Sequence, residues 1–171
     1  MGMEINIGAR LIRKKDKKPV TFGFPKSRWE NVTEWNRNYL IVCWWRKDYE
    51  MLDFLMKTAS QYGVEIDDTK THGTFPLPAE AMREIYAGIV ERSCFLVPED
   101  EPEEIKIERL LVENQNIQNA QNLGDILTAV GIKSYKSFDI VPEGCFCEDF
   151  NPNELEKHPD DFEWEFMVSW G

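Results

Sequence analysis

The chain has 171 residues, 42% of them hydrophobic and 12% aromatic, with a formal net charge of −11 at pH 7. A chain of this length and apolar content fits one domain with a real core and excludes disorder throughout, and no apolar run approaches the roughly 20 residues of a membrane-spanning helix. Residues 1–50 hold 11 Lys and Arg against 6 Asp and Glu, whereas residues 51–171 hold 9 against 25, a sign that disfavours non-specific phosphate binding by the longer part.

At the N-terminus Met3, Ile5, Ile7, Ala9 and Leu11 alternate with Glu4, Asn6, Gly8 and Arg10, the period of a half-buried strand. The basic stretch that follows (Arg10, Arg13, Lys14, Lys15, Lys17 and Lys18) reads as the solvated tip of a hairpin. Val20, Phe22 and Phe24 then alternate with Thr21 and Gly23, completing the predicted β-hairpin before Pro25. Residues 26–38 read as a loop or a short helix.

Tyr39 to Trp45 is apolar on both faces, as expected of a central strand covered on each side. Asp48 is placed to cap a helix whose inward stripe is Met51, Leu52, Leu55, Ala59 and Tyr62, with Gly63 closing it. Residues 64–77 read as irregular. Pro78 opens a second helix with Met82, Ile85, Tyr86 and Ile89 inward, and 94–97 reads as a short strand.

Residues 99–104 form a charged turn. The alternation of Ile105, Ile107 and Leu111 predicts a strand over 105–112, although Ile107, Leu110 and Leu111 also suit a helix. The Asn/Gln-rich run 114–122 leads into a helix carrying Leu123, Ile126, Leu127 and Val130, closed by Gly131, with a strand at 133–141. The cleanest alternation is the last one: Phe162, Trp164, Phe166, Val168 and Trp170 share one strand face, and each buried ring contributes about 2–3 kcal/mol. The sum is an α+β fold in one domain over residues 1–171. Its mixed, mostly antiparallel sheet begins with the N-terminal hairpin and ends with the C-terminal strand, and about three helices pack on it.

The sequence lacks a Gly-rich phosphate loop, G-x-S-x-G, H-E-x-x-H and C-x-x-C. His72, beside Gly73 in a polar loop, and His158, before Pro159, read as exposed residues. Cys145 and Cys147 have no second cysteine pair to complete a zinc site, and the paired acids Asp67-Asp68 and Asp160-Asp161 lack calcium-loop spacing. No catalytic residue, metal or cofactor is therefore expected. The N-terminus shows no basic start followed by an apolar stretch, so no secretory signal is expected and the four cysteines read as reduced thiols in the cytoplasm.

Aromatic residues supply the binding candidates. Trp29 and Trp35 lie in polar, charged surroundings, and Trp44 and Trp45, adjacent on a strand, point to opposite faces. An outward indole near arginine has the composition of an interface anchor. With the acidic cluster Glu99, Asp100, Glu101, Glu103 and Glu104, the residues Trp29, Trp35 and Trp44 form the candidate binding set. The charge balance points to a protein partner with a basic surface, with no direct nucleic-acid or membrane contact. On this reading the chain is an acidic protein-binding domain, an inhibitor, immunity or anti-defence protein that blocks a nucleic-acid-binding partner. The alternatives are an assembly component of a virus or mobile element, and an enzyme with a site around His72, Asp67 or Asp68 and a thiol.

Overall fold

The computed structural model describes residues 2–19, 39–93, 102–128 and 157–171. Within them lie strands β1 (Glu4–Arg13), β2 (Lys18–Pro19), β3 (Leu40–Arg46), β4 (Gly73–Leu77) and β5 (Phe162–Trp170). The helices are α1 (Tyr49–Gln61), α2 (Met82–Arg92) and α3 (Glu103–Thr128), with 3₁₀ turns at Ala79–Ala81 and Pro159–Asp161. The expected strands at 20–24, 94–97 and 133–141 and the helix stop at Gly131 lie outside the described residues.

The fold is α+β, with a five-stranded sheet in which every described strand pair is antiparallel. β5 runs between β1 and β4, pairing Ile5 with Trp170 at one end and Arg13 with Phe162 at the other. The second edge of β1 is shared: β3 lies along Glu4 to Ala9, and β2 pairs at Ile12 and Arg13. A bulge interrupts the β1–β3 ladder, since Ile7 faces Cys43 while Gly8 faces Ile41, leaving Val42 unpaired and buried.

The alternation read from the sequence places the core. Ile5, Ile7 and Ala9 of β1, Phe75 and Leu77 of β4, and Phe166, Val168 and Trp170 of β5 join one cluster. The helices complete it with Met51, Leu55 and Ala59 from α1, Met82, Ile85 and Ile89 from α2, and Ala120, Leu123 and Ile126 from α3. Each fully buried aliphatic side chain contributes about 1.5–3 kcal/mol. Asp48 caps α1 by accepting the Met51 N–H at 3.0 Å, and Arg92 of α2 binds the same carboxylate at 3.1 Å. The cap is worth about 1 kcal/mol. Gly63, at φ +89°, takes the left-handed turn after α1 that a side chain would resist.

Three local expectations are corrected. Residues 105–112 are helical: α3 runs unbroken from Glu103, and the Asn/Gln-rich stretch is its middle. The two-residue alternation there arose because Ile105 and Ile107 are both exposed and report no core face. Residues 73–77, expected as irregular, form β4, an edge strand on β5 that tolerates Pro76 because an edge does not need every N–H. β3, expected to be covered on both faces, leaves Trp44 exposed on one of them; among the described residues its one strand neighbour is β1, and Asn119 of α3 bonds to its other edge at Trp44.

Candidate functional site

That contact between α3 and β3 builds a distinctive surface among the described residues. α3 has 26 residues, about 39 Å at 1.5 Å per residue, and its two halves have different surroundings. The C-terminal half carries Asn116, Asn119 and Asn122 at intervals of three, one above another along the outer edge of β3. The Asn119 side-chain Oδ1 accepts the Trp44 N–H at 3.0 Å and its Nδ2 donates to the Trp44 carbonyl at 2.9 Å. Asn122 Nδ2 donates to the Val42 carbonyl at 3.1 Å, and Asn116 Oδ1 accepts the Trp45 indole N–H at 2.9 Å. Gln115 and Gln118, one turn earlier, donate to the Oδ1 atoms of Asn119 and Asn122, both at 2.9 Å. The amides thus satisfy an edge that would otherwise pair with another strand.

The N-terminal half extends past this anchorage. No residue from 102 to 115 is buried, yet the stretch holds Ile105, Ile107, Leu110, Leu111 and Val112, all exposed. Leu111 and Val112 line a groove of about 310 Å³ together with Trp44, Trp45, Arg46, Asp48, Gln115 and Asn116. Trp44 points outward and is 36% exposed, whereas Trp45 faces the core and is 3% exposed. The two neighbouring indoles therefore take opposite faces, as their strand position requires.

Glu103 and Glu104 occupy the first turn of the same helix, both exposed. Carboxylates at a helix N-terminus are stabilised by the macrodipole, so part of their role is structural. With Glu108 and Glu113 they outnumber Lys106 and Arg109 on this half of α3. Of the predicted binding residues, Trp44, Glu103 and Glu104 thus lie on one helix-and-strand unit. Trp29, Trp35, Glu99, Asp100 and Glu101 lie outside the described residues. Leu111, Val112 and Asn116 were missed as site residues, and the helical spacing of Leu111 and Gln115 was the signal available for them.

The region around His72 is differently organised. Asp67 accepts from the Thr69 backbone N–H at 3.1 Å and from the Thr69 hydroxyl, bonds that hold its carboxyl below the ordinary value. His72 lies 3.4 Å from the Thr71 hydroxyl, and among the described residues no carboxylate is hydrogen-bonded to it. Cys43, the described thiol, is buried in the core and contacts the Asn119 carbonyl at 3.5 Å. Burial pushes its pKa up, away from the thiolate that a nucleophile needs. Among the described residues no three metal-binding side chains cluster, and no helix is long and apolar enough to cross a membrane. Cys145 and Cys147 lie outside them.

The remaining cationic cluster is accounted for locally. Lys14, Lys15 and Lys17 are exposed in the turn between β1 and β2, and Lys17 pairs with Glu163 at 2.8 Å. Arg10 bonds Glu165, its directly opposite neighbour on β5, and lies 5.2 Å from the Tyr39 ring centroid. Searches of known protein families, curated proteins and solved structures give no match to this chain.

Proposed function

We propose that this chain is a cytoplasmic protein-binding domain that blocks a basic, nucleic-acid-binding partner through Trp44 and the N-terminal half of α3. The observation that carries the reading is the composition of that half-helix: aliphatic side chains left exposed beside an outward tryptophan, with glutamates in excess around them. A desolvated apolar centre with a charged rim is the anatomy of an interface. The glutamates steer a cationic surface into place, and Trp44 and Leu111 supply the contact that holds it.

The amide ladder from α3 to β3 supports the reading, because it fixes the indole and the helix relative to each other before binding. Preorganisation of this kind lowers the entropy cost of association. A partner seated on this acidic surface would have the corresponding part of its own basic surface unavailable to phosphate.

The test is affinity capture from the cell of origin with the wild-type chain and with two variants, Trp44→Ala and the pair Glu103→Lys, Glu104→Lys. The wild type retains a basic protein at low salt and releases it as salt rises, because the steering is Coulombic. Both variants lose it, and the captured protein binds DNA or RNA more weakly when the wild-type chain is present. Equal capture by all three chains, or a captured protein whose nucleic-acid binding is unaffected, rejects the proposal.

A further inference from the structure

α3 has a second exposed flank, distinct from the Trp44 groove. Ile107, Leu110, Asn114, Ile117 and Gln121 follow one another at intervals of three and four, which is the a and d spacing of a heptad. At 100° per residue they lie on roughly the opposite side of the helix from Asn116, Asn119, Ala120, Leu123 and Ile126, the stripe that holds α3 to β3 and the core. All five are exposed, with Ile107, Leu110 and Ile117 at 54%, 52% and 42%. None carries a charge, although charged residues make up 30% of the chain.

We propose that this seam pairs with the same seam of a second copy of the chain, side by side and in parallel register, to form a two-fold dimer. The seam's own chemistry selects that occupant. The strip carries no charge to steer a basic partner onto it, and it matches itself, aliphatic layer to aliphatic layer. Asn114 fixes the direction. In parallel register a positions meet a positions, so Asn114 meets the Asn114 of the second copy and the two amides bond to each other. In antiparallel register it would face Leu110 and lose that partner. The next d position towards the N-terminus is Glu103, where like charges meet, so the seam begins at Ile107.

The dimer is weak and its salt dependence is distinctive. Two heptads cover less than the ~800 Å² per partner of a standard interface, so association falls in a range of about 10 μM to 1 mM. Each copy carries a net charge of −11, and screening that repulsion strengthens the pairing as salt rises. Binding of a basic partner at the Trp44 groove weakens with salt, so the two surfaces are separable in one set of measurements.

Sedimentation equilibrium of the full chain, at 50 and 500 mM salt and up to about 1 mM protein, tests the proposal. The expected mass rises from the 20.1 kDa monomer towards twice that value, and more steeply at high salt. Leu110→Glu keeps the far-UV spectrum and melting midpoint, since Leu110 is exposed, but stays monomeric throughout. Asn114→Leu tightens self-association by about tenfold or raises its order, as removal of the polar layer requires. A wild-type chain that stays monomeric at 1 mM, a dimer indifferent to Leu110→Glu, or an Asn114→Leu variant that associates no more tightly each overturns it.

Discussion

One side chain, Asn119, takes both backbone hydrogen-bonding groups of one strand residue, Trp44: N–H to Oδ1 at 3.0 Å and C=O to Nδ2 at 2.9 Å. Asn119 is buried, and its side chain stands in for a neighbouring strand at this residue. It also ties the outward indole to the helix beside it.

Replacing Asn119 by Leu keeps the volume but orphans the Trp44 N–H and carbonyl. Leaving a part-buried backbone group without its partner costs about 1 kcal/mol or more. Urea unfolding is expected to show a loss of at least that size, together with faster amide exchange at Trp44. Wild-type stability in this variant would mean that water replaces the amide without penalty.

Packing is close where β4 meets the end of β5. Gly73 faces Trp170 across the ladder, and a Cβ added at Gly73 would come within 2.6 Å of the indole. The ring is also held by Phe75, with centroids 5.6 Å apart. Gly73→Ala should therefore cost about 1–3 kcal/mol through overpacking. An unchanged or raised melting midpoint would show that the indole can move aside.

Deletion of residues 162–171 removes β5 and leaves β1 and β4 without their shared neighbour. The truncated chain is expected to lose its cooperative melt, followed by circular dichroism. Retention of the wild-type transition would contradict the central position of β5.

Cys43 gives the fold a predicted alkaline sensitivity. Its thiol ionises near the ordinary value of 9.0 when unfolded, whereas burial raises the pKa in the fold. The folded state therefore holds the proton more tightly. Its contribution is complete below about pH 9 and is lost as pH rises, at up to about 1.4 kcal/mol per pH unit. Tyr39, raised mainly by burial, acts in the same direction from its ordinary value of 10.0 upward. Urea midpoints between pH 7 and 10 should fall more steeply for the wild type than for Cys43→Ala. Parallel slopes would remove Cys43 as the cause.

The parts of the fold that were legible in the sequence are those where periodicity reports a buried face. Ile5, Ile7 and Ala9 on β1, Met51 and Leu55 on α1, and Phe166 and Val168 on β5 all point where their spacing predicts. The misreadings have physical origins. β4 is five residues long and includes Gly73 and Pro76, both poor strand formers, so its pattern is too brief to stand out. No residue in the first half of α3 is fully buried, and Ile105 and Ile107 imitate a strand. The better signal was the absence of Gly and Pro from Glu103 to Leu123, with Glu103 and Glu104 placed to open a helix. The apolar run of β3 reflects Val42, Cys43 and Trp45 in the core and α3 along its edge, with Trp44 left exposed. At the site, Trp44 was readable from strand alternation. The ladder of asparagines was not, because polar residues at helical spacing ordinarily face solvent.

Amide hydrogen exchange tests most directly whether Trp44 and the first half of α3 form the contact surface, comparing the free chain with the chain saturated by the basic protein it captures at low salt. Slowed exchange in residues 103–115 and at Trp44 to Arg46, with 162–170 unchanged, is the predicted result. Protection centred on the basic turn at residues 13–18, or none anywhere in α3, would contradict it.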